Sequence, residues 1–268
     1  MDASGEQFDA LVRIMERLRA DDGCPWDREQ TRQTLKPFLI EEAYEVVEAI
    51  DEGDPKQIMG ELGDLLFQVV FHAQVAAERR EFTIGQVLAT TADKMVRRHP
   101  HVFGGGTAST AREVLDQWEE LKRKERSTAA ASPVSALDGV PRELPGLLRA
   151  QRLQDKAARV GFDWPEISGV TAKIEEELGE LREAMKTAAP EEIEQELGDV
   201  LFSLVNLARF LNLSAEEALR KSITRFATRF QSMEKALQRD GRHMKEIGLE
   251  EMERLWQHAK RQNRSTGA

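Results

Sequence analysis

Glu196 and Asp199 flank Leu197-Gly198, and Glu177 and Glu180 repeat that three-residue spacing upstream, within and beyond the run Glu175-Glu176-Glu177. On an α-helix, positions three and four apart share a face. Each pair is therefore a two-carboxylate jaw, and two helices folded back on each other would bring four carboxylates together. Like charges at this spacing destabilise a helix by roughly a few tenths of a kcal/mol per pair. Facing jaws would add to that cost unless a cation lay between them, and hard oxygen donors favour magnesium, with manganese as a substitute. Asp199 also leads straight into Val200-Leu201-Phe202-Ser203-Leu204-Val205, so the acid stands at the mouth of an apolar helix.

The arrangement occurs twice. Glu41-Glu42 and Glu45 precede Glu61-Leu62-Gly63-Asp64, which runs into Leu65-Leu66-Phe67-Gln68-Val69-Val70. Downstream, each half carries a basic helix, Lys94 to Arg98 in the first and Arg225 to Arg229 in the second. Each then has a tryptophan four residues before a lysine, Trp118 with Lys122 and Trp256 with Lys260. The common order points to internal duplication, with Glu42, Glu45, Glu61 and Asp64 as a possible second metal site. Gly63 and Gly198 cost a helix about 1 kcal/mol each relative to alanine. Either close approach by a neighbouring helix or the ligand, or a local irregularity, accounts for them.

The elements that must position these groups are helices. Apolar residues at helical period run from Phe8 to Arg19, and further helices are expected over about 35–52, 55–79, 83–98, 110–126, 147–160, 167–186, 191–211, 214–240 and 249–261. Thr83 reads as an N-cap and Ser214 to Glu217 as a capping box. The run from His99 to Gly106 is expected as loop, and His99 with His101 lacks the further ligand a metal pair would need. Trp26 and Trp164, each ahead of a jaw helix, are expected in the core. No alternating strand pattern occurs, so the fold class is all-α. Two helical domains are expected, 1–126 and 146–268, joined by a small-residue linker over 127–145.

The 268 residues suit two domains of ordinary size. A net charge of −10 argues against a nucleic-acid binder, though not against a nucleotide that brings its own metal. One cysteine, Cys24, excludes an intrachain disulfide. No signal peptide or membrane span is read, so a cytoplasmic protein without a membrane partner is expected.

Glu-Glu-x-x-Glu followed by Glu-x-x-Asp on the next helix resembles the all-α nucleoside triphosphate pyrophosphohydrolases of the MazG type. The tandem copy, Cys24-Pro25-Trp26-Asp27 and Arg98-His99-Pro100-His101-Val102-Phe103-Gly104 extend the likeness over nearly the full length. The resemblance implies hydrolysis of ribo- and deoxynucleoside triphosphates, with little base preference, to monophosphate and pyrophosphate. It implies magnesium, and a homodimer whose subunits complete each helical bundle. It also assigns the activity to the C-terminal copy, with metal on Glu177, Glu180, Glu196 and Asp199 and nucleotide on Lys173, Arg225, Arg229, Trp256 and Lys260. Glu175 and Glu192 depart from the pattern, at places where a neutral residue and a lysine are expected.

From the residues themselves, Arg225 and Arg229 lie one turn apart and offer forked donors suited to phosphate. Trp256 could stack on any base, because every base has a π-face. Glu176 or Glu175 could orient or deprotonate the attacking water. A di-iron bundle would need Glu-x-x-His on two helices, and none of the five histidines has glutamate three residues before it. A P-loop is absent. The alternative reading is a helical nucleotide-binding or regulatory protein without turnover.

Overall fold

The computed structural model describes residues 3–129, 135–187 and 189–265, and among them every regular element is helical. The all-α expectation therefore holds. The chain divides into two units, Met1–Glu125 and Arg126–Ala268. Residues 130–134 of the expected linker, Ala188 of the expected turn and the first two residues lie outside the described residues.

The first unit holds α1 (Ala3–Leu18), α2 (Pro25–Glu29), α3 (Arg32–Glu52), α4 (Pro55–Glu78), α5 (Ile84–Arg98), α6 (Pro100–Phe103) and α7, which runs Ala111–Ala129 into the segment expected as linker. α3 begins three residues before its first core residue, Leu35, because Thr31 and Thr34 cap it reciprocally. The Thr34 N–H donates to Thr31 Oγ1 at 3.3 Å and the Thr31 N–H to Thr34 Oγ1 at 2.8 Å. Gly53, at φ 75°, closes the helix in the left-handed region that glycine tolerates. Asp54 and Pro55 then start α4 at once. Thr83 caps α5 as expected. Met15, Leu35, Val70, Phe71 and Val75 are buried together, with Phe8, Leu11, Val12, Phe38 and Phe67 packed around them. This cluster ties α1 and α3 to α4, each fully buried side chain contributing roughly 1.5–3 kcal/mol.

The second unit holds α8 (Gly146–Arg159), α9 (Ile167–Thr187), α10 (Pro190–Phe210), α11 (Ala215–Arg239), a 3-10 turn (Met244–Glu246) and α12 (Leu249–Ser265). α9 and α10 pack on each other as α3 and α4 do, and α8 lies against α10 and α11. The jaw helices repeat at a constant shift of 135 residues (32 to 167, 52 to 187, 55 to 190). Ser214 accepts from the Glu217 N–H at 3.3 Å, but the return half of the expected box is missing. The Glu217 carboxylate pairs with Arg220 and Lys221 instead.

Three expectations need correction. The His99–Gly106 stretch is not all loop: Pro100 serves as the first residue of α6, where its missing N–H costs nothing. Trp26 and Trp164 are not core, being 51% and 45% exposed. Trp26 sets its edge on Phe38 with ring centroids 5.7 Å apart. The Trp164 ring lies so near Gly169 that an added Cβ would stand 2.7 Å from it. Each indole thus covers the start of its jaw helix from outside. Finally, the local irregularity offered for Gly63 and Gly198 is excluded, since α4 and α10 run unbroken through them, while among the described residues nothing lies within 4 Å of where a Cβ would be. No single described helix is long and apolar enough to cross a membrane.

Candidate metal and nucleotide site

Glu177 on α9 and Glu196 and Asp199 on α10 bring one carboxylate oxygen each within 4.8 Å of the others. Such a group is the donor set a hard divalent cation takes. Glu177 is 6% exposed, a burial that an ionised carboxylate tolerates only with a compensating charge. Lys173, one turn earlier on α9, supplies it: Nζ lies 2.8 Å from Glu177 Oε1 and donates to Glu176 Oε1 at 2.7 Å. Hydrogen bonding to Glu176 and Glu177 raises the lysine pKa above its usual value.

Glu180 belongs beside this trio rather than in it. Its oxygens are outside the 4.8 Å group. Desolvation, and then the Glu177 charge with smaller contributions from Glu196 and Glu176, raises its pKa, while Lys173 opposes the shift. The expected four-carboxylate jaw is therefore three closely set acids and a fourth close by. Glu175 and Glu192 are exposed.

The arm residues stand on α11 and α12. The Arg229 guanidinium lies 5.7 Å from the Trp256 ring centroid, and Phe226 flanks the same indole at 5.4 Å. Arg229 Nε is buried without a hydrogen-bond partner. Among the described residues neither Arg225, Arg229 nor Lys260 is in an ion pair. The structure thus brings Arg229 and Trp256 together, and places Arg225 and Lys260 on the same two helices. Lys173, which the resemblance also gives to the nucleotide, lies against the acids.

The first copy repeats the acids and alters the rest. Glu42, Glu61 and Asp64 form the same 4.8 Å group, with Glu45 outside it. Burial raises the Glu42 pKa, and the buried Gln68, whose Nε2 donates to Glu42 Oε1 at 3.4 Å, works against the shift. At the shift of the jaw helices (38 to 173), Phe38 stands where the second copy has Lys173. Counting from the capped starts of α5 and α11 (83 to 214), Arg98 answers to Arg229. Arg98 is bound to Glu125 through Nε at 3.2 Å and through Nη2, and Arg97 joins the same carboxylate at 3.1 Å. The Arg98 guanidinium holds the Glu125 carboxyl below the usual range. Trp118 has His99 against it at 4.8 Å and the Lys122 ammonium at 5.5 Å.

Sequence reasoning missed Gln68 and Glu125. The first carried a signal, a lone amide interrupting the apolar run after Asp64. Glu125 carried none, because its partners lie 27 and 28 residues away.

The sequence profile of the MazG nucleotide pyrophosphohydrolase domain matches this chain twice, over residues 30–103 and 167–233. A Thermotoga maritima protein named nucleoside triphosphate pyrophosphohydrolase/pyrophosphatase MazG is 47% identical over 97% of this chain and 98% of its own length. The Escherichia coli K12 nucleoside triphosphate pyrophosphohydrolase is 46% identical over 96% of this chain and 98% of its own. An uncharacterised Bacillus subtilis protein is 42% identical over 96% of this chain and 52% of its own length.

Proposed function

The chain belongs to the MazG nucleotide pyrophosphohydrolase family, and from that membership we propose that its C-terminal copy carries the turnover and that a magnesium ion serves it. The protein is an enzyme that hydrolyses nucleoside triphosphates to monophosphate and pyrophosphate. The observation that carries the assignment to the second copy is Lys173 seated on Glu177 beside Glu196 and Asp199, with Phe38 at the equivalent place in the first.

The donor set fits the ion. Three carboxylates, one buried, meet closely enough to share it, and Glu180 stands ready as a fourth. Magnesium so held supplies neutralisation of phosphate charge and lowers the pKa of a bound water; manganese has the same ligand chemistry. The chain's own groups do the remainder. Arg225 and Arg229, in no ion pair among the described residues, are cations suited to phosphate oxygens. Trp256, with Arg229 on it, offers a π-face that does not read base edges, which supports broad base tolerance. Lys173 can balance phosphate charge near the acids. Glu176, hydrogen-bonded to Lys173, or its exposed neighbour Glu175, accepts a proton from the attacking water.

The first copy is read as a non-catalytic, metal-holding or regulatory unit. Arg98, the counterpart of Arg229, is committed to Glu125, and no lysine stands at position 38.

A homodimer completes the bundles. Leu62, Leu66 and Val69 on α4 and Leu197, Leu201 and Leu204 on α10 recur at helical spacing, and all six remain exposed. The open space at Gly63 and Gly198 borders these stripes and would admit a second helix. Apolar stripes of this kind mark association surfaces. Pyrophosphate release from each common triphosphate tests the assignment: Glu196→Ala abolishes it and Glu61→Ala leaves it near wild type, whereas loss with Glu61→Ala alone reverses the roles of the two copies.

A further inference from the structure

Between α11 and α12 lies a cavity of about 200 Å³ lined by Lys235 and Arg239 on one side and His258 and Gln262 on the other. Its lining includes the buried Met233 and Ala259, the Ser232 hydroxyl and no carboxylate. The chain has 48 acidic and 38 basic residues, yet this cavity is lined by two permanent cations and no acid. Lys235 and Arg239 stand one turn apart, a spacing at which like charges repel. Among the described residues neither is in an ion pair, although Glu234 and Asp240 neighbour them in sequence. Both side chains are exposed, so water alone answers the repulsion, and an anion seated between them would relieve it further. Met233, Ala236, Leu255 and Ala259 give the cavity an apolar floor, which weakens the screening of any charge bound there. The volume corresponds to several waters at about 30 Å³ each, room for an oxyanion of phosphate or pyrophosphate size. Arginine's fork and lysine's ammonium are the usual donors to such groups.

We propose that this α11–α12 cavity is a second anion site, taking a small phosphate-type oxyanion and separate from the acid trio that serves turnover. Lys235 and Arg239 neutralise the ligand, Ser232 is within its lining to donate to it, Gln262 Nε2 holds His258 Nε2 at 2.9 Å on the opposite wall, and the small side chains of Ala236 and Ala259 leave the space it fills. The site needs no divalent cation, which distinguishes it from a nucleotide site built on carboxylates.

The test is calorimetric titration of the full-length protein, stripped of metal by chelator, with inorganic phosphate and with pyrophosphate in separate arms. Wild type and Glu196→Ala bind one of the two saturably. The Lys235→Ala/Arg239→Ala pair weakens binding at least tenfold, and Ala236→Leu, which fills the cavity without removing charge, does the same with circular dichroism unchanged. The arm that binds more tightly identifies the ligand. Absence of saturable binding in wild type overturns the proposal, and so does binding that survives both variants. Loss with Arg229→Ala but not with Lys235→Ala/Arg239→Ala overturns it by moving the anion to the nucleotide arm.

Discussion

The ammonium of Lys173 lies 2.8 Å from the Glu177 carboxylate, at the position the first copy gives to Phe38. A lysine there occupies an oxygen of the buried acid before any metal arrives, and then competes with the metal for it. Lys173→Met should therefore tighten magnesium binding measured without nucleotide by about tenfold, since one unit of like charge is removed at contact distance. The same substitution should slow triphosphate turnover by at least tenfold. Magnesium titration followed by steady-state kinetics checks both, and unchanged metal affinity would mean that the lysine does not contest the site.

The Arg229 and Trp256 pair predicts a different signature. Stacking on an aromatic ring contributes about 1–3 kcal/mol per base, so Trp256→Ala should raise KM about tenfold for every triphosphate alike. Kinetics with four bases reads this directly, and a loss confined to one base would contradict a face that ignores base edges.

The exposed stripes on α4 and α10 predict the state of assembly. Light scattering should give twice the 30.3 kDa chain mass for the wild type. Leu201→Glu combined with Leu66→Glu should reduce it to one chain, by placing charge in each buried interface. A wild-type mass of 30.3 kDa would remove the dimer from the account.

Arg19 and Glu78 predict an acid-sensitive contribution to stability. Arg19 Nε and Nη2 donate to the two Glu78 oxygens at 2.7 and 2.6 Å, and the arginine side chain is only 7% exposed. Hydrogen bonding to Arg19 depresses the Glu78 pKa, so the stabilisation is fully present above the ordinary glutamate value near ~4.3. It is lost as pH falls through the lower folded value. Glu78→Gln should cost about 1 kcal/mol at pH 7, given solvent access to the carboxylate, and close to nothing at strongly acid pH. Urea denaturation at both pH values measures the difference.

What could be read from the sequence follows from the range of the interactions. The acid trios were legible because helical periodicity and a short turn fix Glu177 against Glu196 and Asp199. The Thr83 cap follows from side chain to backbone reach within three residues. The Glu125 hold on Arg97 and Arg98 was not legible, since it joins α5 to α7 across a stretch whose path no local rule sets. The placement of Lys173 was legible for the same reason as the trios. Spacing puts it on the Glu176–Glu177 face, where its ammonium lies. Trp26 and Trp164 were misjudged because size and apolarity predict burial, whereas each indole covers its jaw helix from the outside.

The tethering of Arg97 and Arg98 by Glu125 has a wider consequence. One molecule contains the same acidic frame with its cationic arm stacked on an indole in one half and tied to a carboxylate in the other, so each half is an isogenic control for its twin. Mutational tolerance should then be lopsided: changes around Glu125 would register as thermal fragility, while equivalent changes around Arg229 would register in catalytic throughput.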